Sequence, residues 1–182
     1  MRKAREAGEH DYETIVRSAK EFTEESGLGL HFDEAHARAT IWNSIHHPEV
    51  DVVVADDDYG NPVGGFFMSY ENDWTVERLG YVTKFYVFPH ARRTRIPLVL
   101  VKGIVEVAIK RGASRIFASA TAAMGEEVEQ SFVRLFGREG FKPLGRFVVK
   151  ELINGQIRTQ SPSPAPSASP SCDNKIINNS II

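Results

Sequence analysis

The chain has 182 residues, and 22 lysines and arginines against 24 aspartates and glutamates leave a formal net charge of −2. That balance excludes a protein built to coat nucleic acid or an anionic membrane, because both need a large positive excess. Apolar residues make up 42% and charged residues 25%, ordinary globular usage, so the chain can bury one core and scarcely two.

In chain order, Met1 to His10 is charged from Arg2 onward and has no apolar heart, which reads against a secretory leader. Arg2 to Arg5 gives a short first strand. Residues 10–24 place Tyr12, Ile15, Val16, Ala19 and Phe22 at helical spacing, and Gly27 and Gly29 close that segment. Asp33 is a candidate N-cap for a second helix, whose stripe of Ala35, Ala39, Trp42 and Ile45 runs to His46, His47 and Pro48. Val50 to Ala55 is an apolar run bounded by Asp56, Asp57, Asp58, Gly60 and Asn61, a strand entering a hairpin turn, and Val63 to Tyr70 is its partner.

A third strand of the run, Gly80 to Phe88, is rich in aromatic and β-branched residues and stops at Pro89. Residues 96–110 are helical, with Pro97 suited to the first turn and Gly112 just past the end. Ile116 to Ala120 is a short strand, Glu127 to Phe136 an amphipathic helix, and Phe147 to Leu152 a final strand. This order predicts an α/β (α+β) domain over residues 1–158, a mixed sheet with helices on both faces. No apolar run approaches the roughly 18 residues of a membrane span.

Residues 161–171 read SPSPAPSASPS, which cannot bury apolar surface and prefers extended conformations, so 159–182 is a linker and tail. The only cysteine, Cys172, lies there, so neither a disulfide framework nor a multi-cysteine zinc site can form within the chain, and a reducing, intracellular setting fits. Ile176, Ile177, Ile181 and Ile182 either fray with the terminus or dock on this chain or a partner.

The chemistry concentrates between Pro89 and Pro97, where His90-Ala91-Arg92-Arg93-Thr94-Arg95-Ile96 joins a strand to a long helix. Free amides at the positive end of a helix, beside Arg92, Arg93 and Arg95, can hold a phosphate. A solvated basic turn is the alternative. His46 and His47 are adjacent on a helix and point apart, with no third ligand at a recognisable spacing, so no metal site is expected. Trp42 and Trp74 read as core or cleft residues rather than nucleic-acid stacking platforms, given the missing basic field.

Strand, basic loop, helix, strand, helix, then Leu135-Phe136 with Glu139-Gly140-Phe141, resembles the GNAT superfamily of acyl-CoA-dependent N-acetyltransferases over roughly residues 1–152. Arg5-Glu6-Ala7 with Asp11-Tyr12 looks like that family's first strand and helix start, and Gly145 to Leu152 is most similar to small bacteriophage-encoded GNAT-like proteins. The resemblance implies a mainly antiparallel sheet and acetyl-CoA as co-substrate. It implies that the backbone of Phe85, Tyr86 and Val87 pairs with the pantetheine arm, and that Arg92, Arg93, Thr94, Arg95 and Ile96 hold the pyrophosphate.

Two positions depart from the family pattern. Where the family loop has small residues this chain has Arg95 and Pro97, and proline removes a donor outright. Where many members have a tyrosine that protonates the leaving thiolate, this chain has Phe136, which has no proton to give. Glu77, Glu71 and Asp73 are the candidate bases, with solvated loop charges as the alternative, and Tyr86 is a candidate for orienting substrate or water.

The expected activity is transfer of an acetyl group from acetyl-CoA to a primary amine by direct attack, in the cytoplasm, with a homodimer as the assembly. The alternative is a weak or inactive fold kept as a structural protein, for example a phage virion component tethered to a protein partner through 159–182. Neither reading involves nucleic acid, membrane or metal.

Overall fold

The computed structural model describes residues 4–27, 29–72, 76–119 and 126–144, all of them within one compact unit, Met1–Gly145. The elements follow the changes of periodicity read along the sequence. Strand β1 (Ala4–Glu6) leads through a 3-10 turn into α1 (Tyr12–Glu25), and α2 (Glu34–His46) starts on Asp33, whose Oδ1 accepts the His36 amide at 3.0 Å. The hairpin β2 (Val50–Asp56) and β3 (Pro62–Glu71) turns on Asp57, whose Oδ1 accepts the amides of Tyr59 and Asn61 at 2.8 and 2.9 Å. Then come β4 (Leu79–Val87), a 3-10 turn (Pro89–Ala91), α3 (Ile96–Lys110), β5 (Arg115–Ala118) and α4 (Glu126–Gly137). The expected strand at 147–152, the Ser/Pro linker, Cys172, the isoleucine tail, Arg2, Asp73, Trp74 and Ala120 lie outside the described residues.

The strands pair in the order β1-β2-β3-β4-β5, antiparallel as far as β4, with β5 parallel to β4. The parallel step requires a crossover, and α3 supplies it. Helices cover both faces, as expected. Val52 and Val54 pack with Ile15, Val16 and Ile41 under α1 and α2, whereas Val53, Ala55, Phe66 and Met68 pack with Leu100, Val101 and Ile104 of α3. Phe136 of α4 joins the α3 side. Gly103 lets α3 lie close to the first strand, since a Cβ there would stand 2.7 Å from the Ala4 Cβ. No helix among the described residues is long and apolar enough to cross a membrane.

One charged side chain fastens the start of the chain. Arg5 donates to both oxygens of Asp11 at 2.7 and 2.9 Å and to both of Asp56 at 2.7 and 3.0 Å, joining β1, the start of α1 and the end of β2. Asp11 is buried, and its Oδ2 also accepts the Gly8 amide at 2.9 Å. Burial pushes its carboxyl up, but the hydrogen bonds from Arg5 and Gly8 outweigh this and hold it below the usual carboxylate range.

The irregularity that matters lies between β3 and β4. Phe67 faces Lys84 and Met68 faces Val82, so Thr83 is one extra residue on β4, a bulge that bends the strand. Beside it, β4 and β5 pair only from Leu79↔Arg115 to Val82↔Ala118. Past Val82 no further pairing with β5 is found among the described residues.

Candidate active site

Peptide groups in an antiparallel strand point alternately to one neighbour and the other. The Phe88 amide donates to the Val63 carbonyl on β3 at 3.0 Å, so Tyr86 also addresses β3, and Phe85 and Val87 address the open side where β5 has ended. The Val87 carbonyl is taken by Arg92 Nε at 2.9 Å. The N–H and C=O of Phe85 and the N–H of Val87 are left without a partner among the described residues. A strand edge with unmet donors and an acceptor suits an extended amide-bearing ligand.

The loop after β4 is less open than its sequence suggests. Its 3-10 turn uses the Ala91 and Arg92 amides, at 2.8 Å to Phe88 and 3.3 Å to Pro89. Thr94 donates its amide and its hydroxyl to the Ala91 carbonyl, at 3.1 and 2.7 Å, and the same hydroxyl accepts the Ile96 amide at 3.1 Å. Thr94 therefore ties the loop to the first residue of α3, whose N-cap Arg95 has no side-chain cap. Pro97 has no N–H. The amides of Arg93, Arg95 and Leu98 make no hydrogen bond among the described residues, at or just before the positive end of α3.

The three arginines separate in the same way. Arg92 turns back, pairing with Glu25 and lying over the Tyr86 ring, 5.5 Å from its centre. Arg93 and Arg95 are exposed and make no ion pair with the described residues. Ile96 is buried in the core. Of the five loop residues expected to hold a pyrophosphate, Arg93 and Arg95 present both amide and side chain, whereas Arg92, Thr94 and Ile96 are engaged with the protein itself.

Tyr86 lies on the α1 face. Its ring meets Phe22 and Phe88 edge to face, with centroids 6.3 and 5.4 Å away, and its hydroxyl donates to Glu21 Oε2 at 3.0 Å, with Glu25 Oε1 at 3.3 Å. Burial and the two carboxylates push the phenol well above its ordinary value, so it keeps its proton at neutral pH. Glu21 and Glu25, one turn apart on α1, carry no sequence signal that marks them as partners of Tyr86.

Glu77 is not brought to this place. It precedes β4, is exposed and lies 3.8 Å from Arg115 Nε. Glu77 lies in the bend before β4, and at roughly 3.3 Å per strand residue the four residues from Leu79 to Thr83 already span about 13 Å. Glu71 sits opposite Leu79 at the same remote end. Phe136 is 2% exposed and packs against Phe85, Phe132 and Phe141, with ring centroids 5.5, 4.1 and 5.1 Å away. On the α1 and α2 side, a cavity of about 740 Å³ runs down to β4 and includes Thr83, Lys84, Phe85 and Tyr86 in its wall. Among the described residues no group of three or more His, Cys, Asp or Glu side chains could hold a metal ion.

A sheet whose fourth strand bulges and, among the described residues, pairs with a parallel fifth only as far as Val82, with a basic turn and a helix N-terminus beyond, is the architecture of the acetyltransferase fold. The family model described as the acetyltransferase (GNAT) family matches residues 13–137, and the chain belongs to that family. Among solved structures it is similar to a transcriptional regulator from Bacillus halodurans C-125, at 17% identity and a TM-score of 0.66, covering 84% of this chain and 100% of that one. It is similar to a predicted acetyltransferase with acetyl-CoA from Clostridium acetobutylicum, at 16% identity and a TM-score of 0.63, covering 83% and 96%. AAC(6')-Iy, in complex with the bisubstrate analogue CoA-S-monomethyl-acetylneamine, matches at 15% identity and a TM-score of 0.65, covering 84% and 99%. No curated protein matches the sequence.

Proposed function

We propose that the chain is an N-acetyltransferase that uses acetyl-CoA and a primary amine. The observation that carries this is the end of β4–β5 pairing at Val82 and Ala118 among the described residues, which leaves peptide groups of Phe85 and Val87 without a partner there, with Phe85 in the wall of the cavity. The pantetheine amides would pair with those groups, and the pyrophosphate would meet the amides of Arg93, Arg95 and Leu98 with the two exposed guanidinium groups. The bound acetyl-CoA of the Clostridium protein and the CoA-linked analogue of AAC(6')-Iy, on the same fold, support the ligand class.

The amine enters from the cavity and its nitrogen attacks the thioester carbonyl carbon. The new C–N bond forms, the C–S bond breaks, and CoA leaves as the thiolate. With Glu71 and Glu77 remote and Phe136 without a proton, water takes the proton from the amine and returns one to the sulfur. Tyr86, locked between Glu21 and Glu25, positions the wall of the cavity. Calorimetric titration with acetyl-CoA, followed by a CoA-release assay with amines, tests the reading. No binding at millimolar acetyl-CoA removes it.

The packed Phe136 and the missing N–H at Pro97 favour a second reading, in which the fold binds its ligand and a protein partner without turnover. Acetyl-CoA binding with no CoA release, and loss of partner binding when 159–182 are deleted, would select it.

A further inference from the structure

We propose that the acceptor is a primary amine with an apolar side chain and a carboxylate, of the amino-acid class, and that Lys84 receives its carboxylate. This rests on the acetyltransferase reading above and concerns the same cavity.

The walls of the cavity are apolar, with Phe22, Leu30, Phe32, Ile41, Phe67 and Phe88 among them. Three of the helix hydroxyls in its lining donate to their own helix backbone. Ser18 donates to the Ile15 carbonyl at 2.7 Å, Thr23 to Ala19 at 2.9 Å and Ser44 to Thr40 at 2.8 Å. A volume of about 740 Å³ accommodates an aromatic or branched aliphatic side chain with room for the acetyl group.

A polycationic acceptor needs several carboxylates, and the described lining offers one. Asp33 is the acid among the described lining residues, and its Oδ1 caps α2. Glu21 and Glu25 hold Tyr86 and Arg92, and Glu13 holds Arg38. The cationic side is different. Lys84 faces the same side of the sheet as Tyr86, and its one described contact is with the Thr83 carbonyl at 3.4 Å. His31 and His36 also line the cavity. An exposed ammonium at the rim of an apolar chamber, one residue from Phe85 on the strand edge, complements a carboxylate.

The test compares L-phenylalanine and L-leucine with phenethylamine, isoamylamine and kanamycin at saturating acetyl-CoA, reading acetylated product by mass spectrometry. L-Phenylalanine binding is also measured by calorimetry without acetyl-CoA. The expected result is a kcat/KM at least tenfold higher for each amino acid than for its decarboxylated analogue. Lys84→Met, a change at an exposed position, should raise the KM and the calorimetric Kd for L-phenylalanine about tenfold and leave the acetyl-CoA Kd as it was. Preference for kanamycin, or equal use of phenethylamine and L-phenylalanine, overturns the inference while acetyl-CoA binding stands. Failure of acetyl-CoA to bind, with L-phenylalanine still bound and weakened by Lys84→Met, overturns the acetyltransferase reading and leaves an amino-acid pocket.

Discussion

Arg92 and Val87 are joined across the end of β4, where the guanidinium Nε donates to the carbonyl at 2.9 Å. The same side chain pairs with Glu25 and covers the Tyr86 ring, so it ties the loop, the open strand and α1 together. Its two neighbours in the basic run make no such ties. Arg92→Ala should therefore lower stability by about 1–2 kcal/mol, a charged hydrogen bond lost from a half-exposed site. Arg92→Lys should not restore it, because one ammonium cannot reproduce the fork. Arg93→Ala and Arg95→Ala should melt like the parent and weaken CoA binding, each by several-fold and more steeply at low salt. Thermal melts beside CoA titrations separate the cases. Equal melting temperatures for all three variants would remove the distinction.

Pro97 leaves a gap in the first turn of α3, between the Ile96 amide held by Thr94 and the unpaired Leu98 amide. Pro97→Ala puts one N–H back where the helix dipole concentrates positive charge. CoA should bind about three- to tenfold more tightly, at a stability cost of about 0.4–1 kcal/mol from the freer unfolded chain. Pantetheine lacks the diphosphate and is the control. A gain shared by pantetheine would place the diphosphate elsewhere.

The helices and strands were legible because their periods are clean. Pro97 and Gly112 bracket α3, and Asp33 opens α2 as a cap. The bulge was not. Thr83 sits in a run of aromatic and β-branched residues that reads as an unbroken strand, and only the pairing of Phe67 with Lys84 and Met68 with Val82 shows the extra residue. The loop was legible as a basic strand-to-helix connection, but three arginines of one type carry no sign of which turns inward. That depends on Glu25, remote in sequence and one helix away. Glu77 drew notice by its closeness to β4 in sequence, whereas β4–β5 pairing ends at Val82 among the described residues. Glu77 lies in the bend before β4, beside Arg115.

The Arg5 and Asp11 pair should control the acid limb of stability. The Asp11 carboxyl is held below its ordinary range in the folded chain, so the unfolded chain binds the proton first as pH falls. Its stabilisation is complete above about pH 4 and fades as pH drops further through the folded value. Asp11→Asn should cost about 2–3 kcal/mol at neutral pH, below the full value for a buried pair because Arg5 is partly exposed. Urea titrations should show that difference shrinking towards pH 2. A difference independent of pH would mean that Asp11 acts through packing and the Gly8 amide rather than through charge.

Ala37 stands on α2 and lines the cavity together with residues of α1 and the sheet. Ala37→Phe fills part of the chamber from a half-buried position without touching the β4 edge or the loop after it. An acceptor that sits between α1, α2 and the sheet should then lose access, with KM for the amine rising at least tenfold. Acetyl-CoA, held by Phe85, Val87 and the amides at the start of α3, should bind as before. Overpacking at such a site costs about 1–3 kcal/mol, so a melt accompanies the assay. If the variant is folded and the amine KM is unchanged, the acceptor approaches the open strand from another side. If both ligands are lost together while the fold is kept, the two sites are one.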